Sequence, residues 1–278
     1  MKRIYRIGLF LILGGILPPP VFGADGGMGK DSPWERFSLS LGGFITNFNT
    51  SVTLGGKELG AGINVDVEDA LGLDTSLTVF RGDALLRLGS SRRHRFDLNY
   101  YDLRRSSTKD LTTEVEIGDQ IFPIGTTVDS FFNIQVIKAG YSYSLIQDER
   151  IDFGLGLGLF VMPIEVGVKA ARIGATEETI TAPLPTVALR FDFALTPKWF
   201  LRQSIEAFYL EIEKFRGALY SALIAVEYKP WKHFGFGAGY NFFGLRIKAD
   251  GEDYPNIKLT GKIEFSYSGL LLYGKVFF

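Results

Sequence analysis

The strongest constraint on this chain is a two-residue hydrophobic period that persists through segments longer than most soluble strands. Ile151, Phe153, Leu155, Leu157, Leu159 and Val161 alternate with Asp152, Gly154, Gly156 and Gly158. Val187, Leu189, Phe191, Phe193 and Leu195 alternate with Ala188, Arg190, Asp192 and Ala194, and Phe234, Phe236, Ala238, Tyr240 and Phe242 with Gly235, Gly237, Gly239 and Asn241. Successive side chains of a strand point to opposite faces, so each segment has one apolar face and one small or polar face. Soluble strands average about 5–6 residues, whereas a tilted strand needs about 9–11 to cross a bilayer.

A soluble sandwich also alternates, but it exposes its charged face to water. Here charges stand in mid-segment, as with Arg81 and Asp83, Arg190 and Asp192, and Arg202 and Glu206. In a membrane barrel that face turns to the lumen. The pattern predicts strands at about 36–48, 75–88, 95–105, 130–145, 151–167, 184–195, 199–212, 217–229, 233–247 and 257–278. Turns at 89–94, 147–150, 196–198 and 229–232 are short. Connections at 49–74, 106–129, 168–183 and 249–256 are longer, with 213–216 as the exception. Alternating short and long connections point to an all-β, antiparallel transmembrane β-barrel of about 10 strands, with 8 or 12 as alternatives, short periplasmic turns and long extracellular loops. An even strand number puts both termini in the periplasm.

The amino terminus fits export. Lys2, Arg3 and Arg6 precede an apolar run from Ile7 to Leu17, then three prolines and Val21-Phe22-Gly23-Ala24. A charged start, a short apolar stretch and small residues at a cleavage point define a signal peptide. The run is too short and too broken for a membrane-spanning helix of about 20 residues. The expected organisation is a signal peptide over 1–23, a short periplasmic segment over 24–34, and an outer-membrane β-barrel over 35–278. Cleavage after Gly23 leaves 27 basic residues against 31 acidic ones, a formal net charge of −4. No basic cluster suits nucleic acid. The absence of cysteine excludes a disulfide framework and thiolate chemistry.

The last segment, Leu270-Leu-Leu-Tyr-Gly-Lys-Val-Phe-Phe278, resembles the C-terminal signature of Gram-negative outer-membrane barrels. That resemblance implies an assembly signal involving Tyr273, Val276 and Phe278, read by the barrel-assembly machinery. Asp66–Leu73, Arg93–Leu103 and Phe236–Asn241 resemble a set of outer-membrane barrel proteins that brings no known activity to carry over. The resemblance implies location in the outer membrane, with lipid and lipopolysaccharide as neighbours; the sequence names no extracellular partner.

By strand phase, the lumen should hold Arg81, Asp83, Arg87, Asp97, Lys138, Asp152, Arg190, Asp192, Arg202, Glu206, Glu227 and Lys275. The signs nearly balance. A barrel of about 8 strands can be filled by side chains, whereas 16–18 strands leave a channel. With about ten, a network of arginines and carboxylates should close most of the bore, because unpaired buried charge is costly. The alternative is a narrow polar pore, since glycines on the inward face of 154–158 and 235–239 should leave local space.

Known hydrolytic outer-membrane barrels imply a histidine near the outer leaflet or cell surface. The two histidines, His94 and His233, lie beside predicted periplasmic turns, so hydrolysis there is disfavoured. Asp66, Glu68 and Asp69, with Asp74, form an acidic group that could attract a hard cation, but the spacing matches no EF-hand and a solvated acidic loop is the simpler reading. No cofactor is expected. Trp34, Tyr143, Trp199, Trp231, Phe277 and Phe278 should form the periplasmic aromatic girdle. Two functional classes follow: a structural or interaction barrel with a mostly closed lumen, or a porin-like narrow channel for small solutes or hydrophobic molecules. An outer-membrane enzyme ranks third.

Overall fold

The computed structural model describes residues 32–54, 63–112, 114–117, 120–171, 173–212, 215–249 and 261–278. The predicted signal peptide, most of the segment over 24–34 and most of the 249–256 connection lie outside them. The strands are β1 (Phe37–Leu54), β2 (Ile63–Asp66), β3 (Ser76–Leu88), β4 (His94–Asp110), β5 (Val115–Ile117), β6 (Gln120–Phe122) and β7 (Thr127–Gln147). They continue with β8 (Ile151–Ala170), β9 (Gly174–Ala194), β10 (Trp199–Ile212), β11 (Phe215–Tyr228), β12 (Phe234–Ala249) and β13 (Gly261–Phe277). A five-residue helix, α1 (Val67–Leu71), follows β2.

Ten of these strands form an antiparallel sheet in which chain neighbours pair in sequence. The sheet closes on itself where β13 pairs with β1, from Ser38↔Phe277 to Leu54↔Gly261. β2 adds to the upper end of β1, and β5 and β6 form a separate hairpin. Closure removes the unpaired edges that an open sheet would expose to lipid. All ten predicted barrel segments are present, but several run further than alternation indicated. The connection expected over 168–183 belongs instead to β8 and β9, which pair up to Ala170↔Gly174. Above the membrane a strand needs no apolar face, so the hydrophobic period fades there while backbone pairing continues.

The outward face forms an apolar band, with Leu39, Phe80, Leu98, Leu157, Val187 and Ile224 exposed. The inward face changes character along the axis. Towards the short turns it is small, polar or charged. Towards the long connections it carries Phe44, Phe132, Phe160, Met162, Ile164, Phe243, Phe265 and Tyr267, all buried in one cluster. β8 shows both halves on one face: Asp152, Gly154, Gly156 and Gly158 are followed by Phe160, Met162 and Ile164, and all are buried. Phe243 stacks on Tyr267 at 5.0 Å, and Phe44 meets Tyr101 and Tyr267 edge-on at 5.7 and 5.6 Å. Such pairs contribute about 0.5–1.5 kcal/mol each beyond burial.

Candidate functional site: the barrel lumen

All twelve charged residues assigned to the lumen by strand phase do face it, and they join through ion pairs. Near the periplasmic end Asp152 accepts from Arg87 at 2.8 Å and from Arg190 at 2.9 Å. Asp192 meets Arg190, Arg202 and Arg95 at 3.2, 3.1 and 3.1 Å. Arg202 also binds Glu227 at 2.8 Å, and Lys275 reaches the same carboxylate at 2.9 Å. One layer higher, Lys138 bridges Asp97, at 3.1 Å, and Glu206. Arg81 binds Asp83 at 3.0 Å and donates to Asn241 at 3.3 Å. The register explains these contacts: Arg202 lies opposite Asp192, and Asp152 opposite Asp192, so charges on three adjacent strands share one height.

Three further charges were missed. Glu35, just before β1, folds into the periplasmic mouth and binds Arg202 at 2.6 Å, Lys275 at 2.7 Å and Lys229 at 2.8 Å. Burial raises its carboxyl pKa, but Arg202, Lys229, Lys275 and Arg87 outweigh that effect and hold it well below its ordinary value. Lys229, just past β11, is pushed down to about 8, chiefly by burial. Arg95 completes the group. Glu35 and Lys229 lie outside the regular strands, where alternation gives no phase; Arg95 stands in phase with Asp97 on β4 and was legible in principle.

Trp34, expected in the outer girdle, is instead fully buried in the mouth. Its indole N–H donates to the Asp148 carbonyl at 2.7 Å, and its ring meets Phe200 edge-on at 6.2 Å. Phe277 also turns inward, 4.8 Å below the Lys229 ammonium. Trp34 is carried in by the N-terminal segment folding under the barrel, whereas Phe277 faces inward by its parity with Tyr273 and Lys275 on β13. Tyr143, Trp199, Trp231 and Phe278 remain on the outside. Tyr273 faces the lumen, where its hydroxyl donates to Glu227 at 3.0 Å, while Val276 and Phe278 face outward. Positions 273 and 276 differ by an odd number, so one strand cannot present them on the same side.

The inward glycines do not leave a pore. A side chain at position 237 would overlap the Tyr273 ring, and a Cβ at position 154 would sit 2.6 Å from Arg190 Nη2. The long neighbours occupy the space that glycine vacates. What remains is a cavity of about 140 Å³ between the charged and apolar layers, lined by Arg81, Asp83, Asp97, Lys138, Glu206 and Asn241 among others. On its upper side the Tyr101 and Tyr267 hydroxyls bond each other.

The acidic group of the first long connection is built into the structure. Glu68 pairs with Arg105 and accepts from the Thr50 N–H at 2.9 Å, while the Asp69 carbonyl accepts from Lys109. The Asp66 side chain lies outside the described residues. Among the described residues no three His, Cys, Asp or Glu side chains converge to hold a metal ion. His94 bonds the Tyr141 hydroxyl at 2.9 Å, and His233 stacks on Phe278; both lie beside short turns.

A closed, ten-stranded antiparallel sheet with an apolar exterior and charges inside defines a transmembrane β-barrel of the bacterial outer-membrane type. Comparison with solved structures agrees. The chain is similar in fold to the outer membrane protease OmpT of Escherichia coli, at 10% identity, over 87% of this chain and 96% of that one, with a TM-score of 0.54. Weaker likenesses link it to the transport unit of the autotransporter AIDA-I of Escherichia coli (6% identity, 90% and 93% covered, TM-score 0.45) and to Neisserial surface protein A (14%, 87% and 97%, 0.36). No family model and no curated protein matches the sequence.

Proposed function

We propose that this protein is an integral outer-membrane β-barrel that works as a structural or interaction barrel, with a lumen closed to solutes. The observation that carries this reading is a double closure. A charged network, plugged from below by Trp34 and Glu35, fills the periplasmic half, and a cluster of packed aromatic and aliphatic side chains fills the other. Either layer alone would obstruct a water column. The remaining cavity is large enough for several waters, which need about 10–15 Å³ each by the same measure. With the lumen filled, the surfaces left for recognition are the strand extensions and long connections at the extracellular end, together with lipid and lipopolysaccharide at the wall. Planar-bilayer recording of the purified protein tests the reading. Conductance near the baseline is expected; a large, steady conductance would overturn it in favour of a narrow channel for small solutes or hydrophobic molecules.

A further inference from the structure

The outer wall changes character along one row of adjacent strands. Glu211 on β10, Arg216 on β11, Lys248 on β12 and Lys262 on β13 share a single line of the register. One step lower, Arg246 stands opposite Glu264. Below these the outward positions carry no charge: alternate residues from Trp199 to Tyr209, from Ala218 to Tyr228, from Phe234 to Gly244 and from Ser266 to Val276. Trp199, Tyr228 and Phe236 form the matching row at the periplasmic rim, and Glu211, Arg216 and Lys248 lie twelve positions beyond them. At about 3.3 Å per residue and a tilt of about 40°, that is a climb of about 30 Å. The apolar band is about 25 Å tall, so the charged row stands at headgroup height.

Like charges placed directly opposite each other destabilise a sheet. Arg216 lies opposite Lys248, and Lys248 opposite Lys262. An anion lying across the row relieves that cost. The Arg216 and Arg246 side chains each hold one carboxylate, Glu211 and Glu264, yet stay 50% and 61% exposed. Beside them the wall is polar without charge: Asn49 of β1 lies opposite Ser266 and Asn47 opposite Ser268, with both amides exposed. Beneath the cations the exposed Tyr220 ring lies against Gly244, where no side chain intervenes. The far wall has the opposite sign. Among the described residues of β4, β7, β8 and β9, the outward charges towards the extracellular end are Asp102, Asp110, Asp129, Glu165 and Glu177 against Arg104 and Lys169.

We propose that the outer face of β11 and β12, flanked by β13 and β1, binds the phosphorylated sugar headgroup of an outer-leaflet glycolipid. Arg216, Arg246 and Lys248 take the phosphate, because guanidinium and ammonium groups form charge-assisted hydrogen bonds to its oxygens. Asn47, Asn49 and Ser266 match the hydroxyls of a sugar, which a plain phospholipid lacks, and Tyr220 offers the ring a flat face. The acyl chains lie on the uncharged outward positions below. The acidic far wall repels the same headgroup, which confines the site to one side of the barrel. The proposal rests on the reading of the chain as an outer-membrane barrel with its long connections outside, and adds the lipid and the strands that hold it.

The purified protein, folded in a nonionic detergent, is titrated with bisphosphorylated lipid A, and bound lipid is counted by native mass spectrometry. Parallel titrations use the same lipid without its phosphates, and phosphatidylglycerol. Gel mobility before and after boiling reports barrel formation separately, so a chain that forms no barrel fails the outer-membrane reading rather than this one. Lipid A should bind about tenfold more tightly than either comparison lipid. R216Q with R246Q and K248Q should reduce lipid A binding to the level of the dephosphorylated lipid, whereas R104Q with K169Q on the far wall leaves it unchanged. R246Q alone, which disturbs one exposed pair, should shift affinity several-fold in the same direction. Equal binding with and without phosphates overturns the site, as does equal loss in the two sets of variants. Phosphatidylglycerol bound as tightly as lipid A would show a surface for anionic lipids in general and overturn the glycolipid assignment.

Discussion

Glu35 shows how much one residue outside the regular strands can control. It supplies the carboxylate that Lys229, Lys275 and Arg202 share at the periplasmic mouth. Replacing it by Gln leaves three buried cations under-compensated, and removing one partner of a buried pair costs about 3–5 kcal/mol. Urea unfolding of E35Q in lipid vesicles should show a loss of that order. The pH dependence has a definite sign. The folded-state pKa of Glu35 is depressed, so its contribution is complete above the unfolded value near 4.5 and is lost as pH falls below it. Stability of the native protein should therefore decline in acid more steeply than that of E35Q; parallel profiles would contradict the assignment. Lys229 has the same sign in a different window. With its pKa lowered to about 8, the folded state holds fewer protons than the unfolded one between about 8 and 10.5, so its term favours folding as pH rises through that window.

At the level of the strands, each face has its own tolerance. Leu189 faces lipid on β9, while its neighbour Ala188 lines the cavity opposite Glu206. A lipid-facing Arg near mid-bilayer costs about 2–4 kcal/mol. L189R should lose stability by that amount in urea unfolding, and A188R, beside a carboxylate, should lose clearly less. Equal losses would mean that the strand phase is wrong. Gly156 would be a poor partner for such a test, because any side chain there meets the Tyr141 carbonyl and Ser142. The final strand has a second role in closure: the Phe278 carbonyl accepts from Arg36 and Phe37 at 2.7 and 3.1 Å, and its N–H donates to the Phe37 carbonyl at 2.9 Å. Deleting Phe278 removes the last rung between β13 and β1. The amount of folded protein recovered in outer membranes should fall several-fold, and an unchanged amount would sink the prediction.

For the whole molecule, the two lumen layers predict a non-additive response. R190A with R202A removes cations that hold Asp152, Asp192, Glu35 and Glu227, and admits water to the lower half. The apolar cluster above remains, so conductance should stay low. F160A with F243A alone leaves the charged layer in place, with the same result. All four substitutions together should raise conductance at least tenfold over either pair in planar bilayers. A full rise from the arginine pair alone would show that the aromatic layer does not obstruct the bore.

The chain's own pattern determined the ten barrel strands, their inward and outward faces and the membership of the charged network, because side-chain direction along a strand follows from parity alone. Arg190 and Asp192 could be assigned to the lumen without knowing any partner. Tertiary structure decided what parity cannot carry. Which carboxylate meets which guanidinium depends on the register between strands, and register brought Arg202 to Asp192. The burial of Trp34 and Glu35 depends on where a segment without alternation folds after the barrel closes. The upper half of the lumen was hidden because Phe160, Met162 and Ile164 are as apolar as the lipid-facing residues beside them, so hydrophobicity no longer distinguishes inside from outside. Pro183 and Pro185 were visible in the sequence from the outset. Which edge of β9 they would deprive of donors was decided only when β8 paired through both of them and the β9–β10 ladder stopped at Ala207↔Val187.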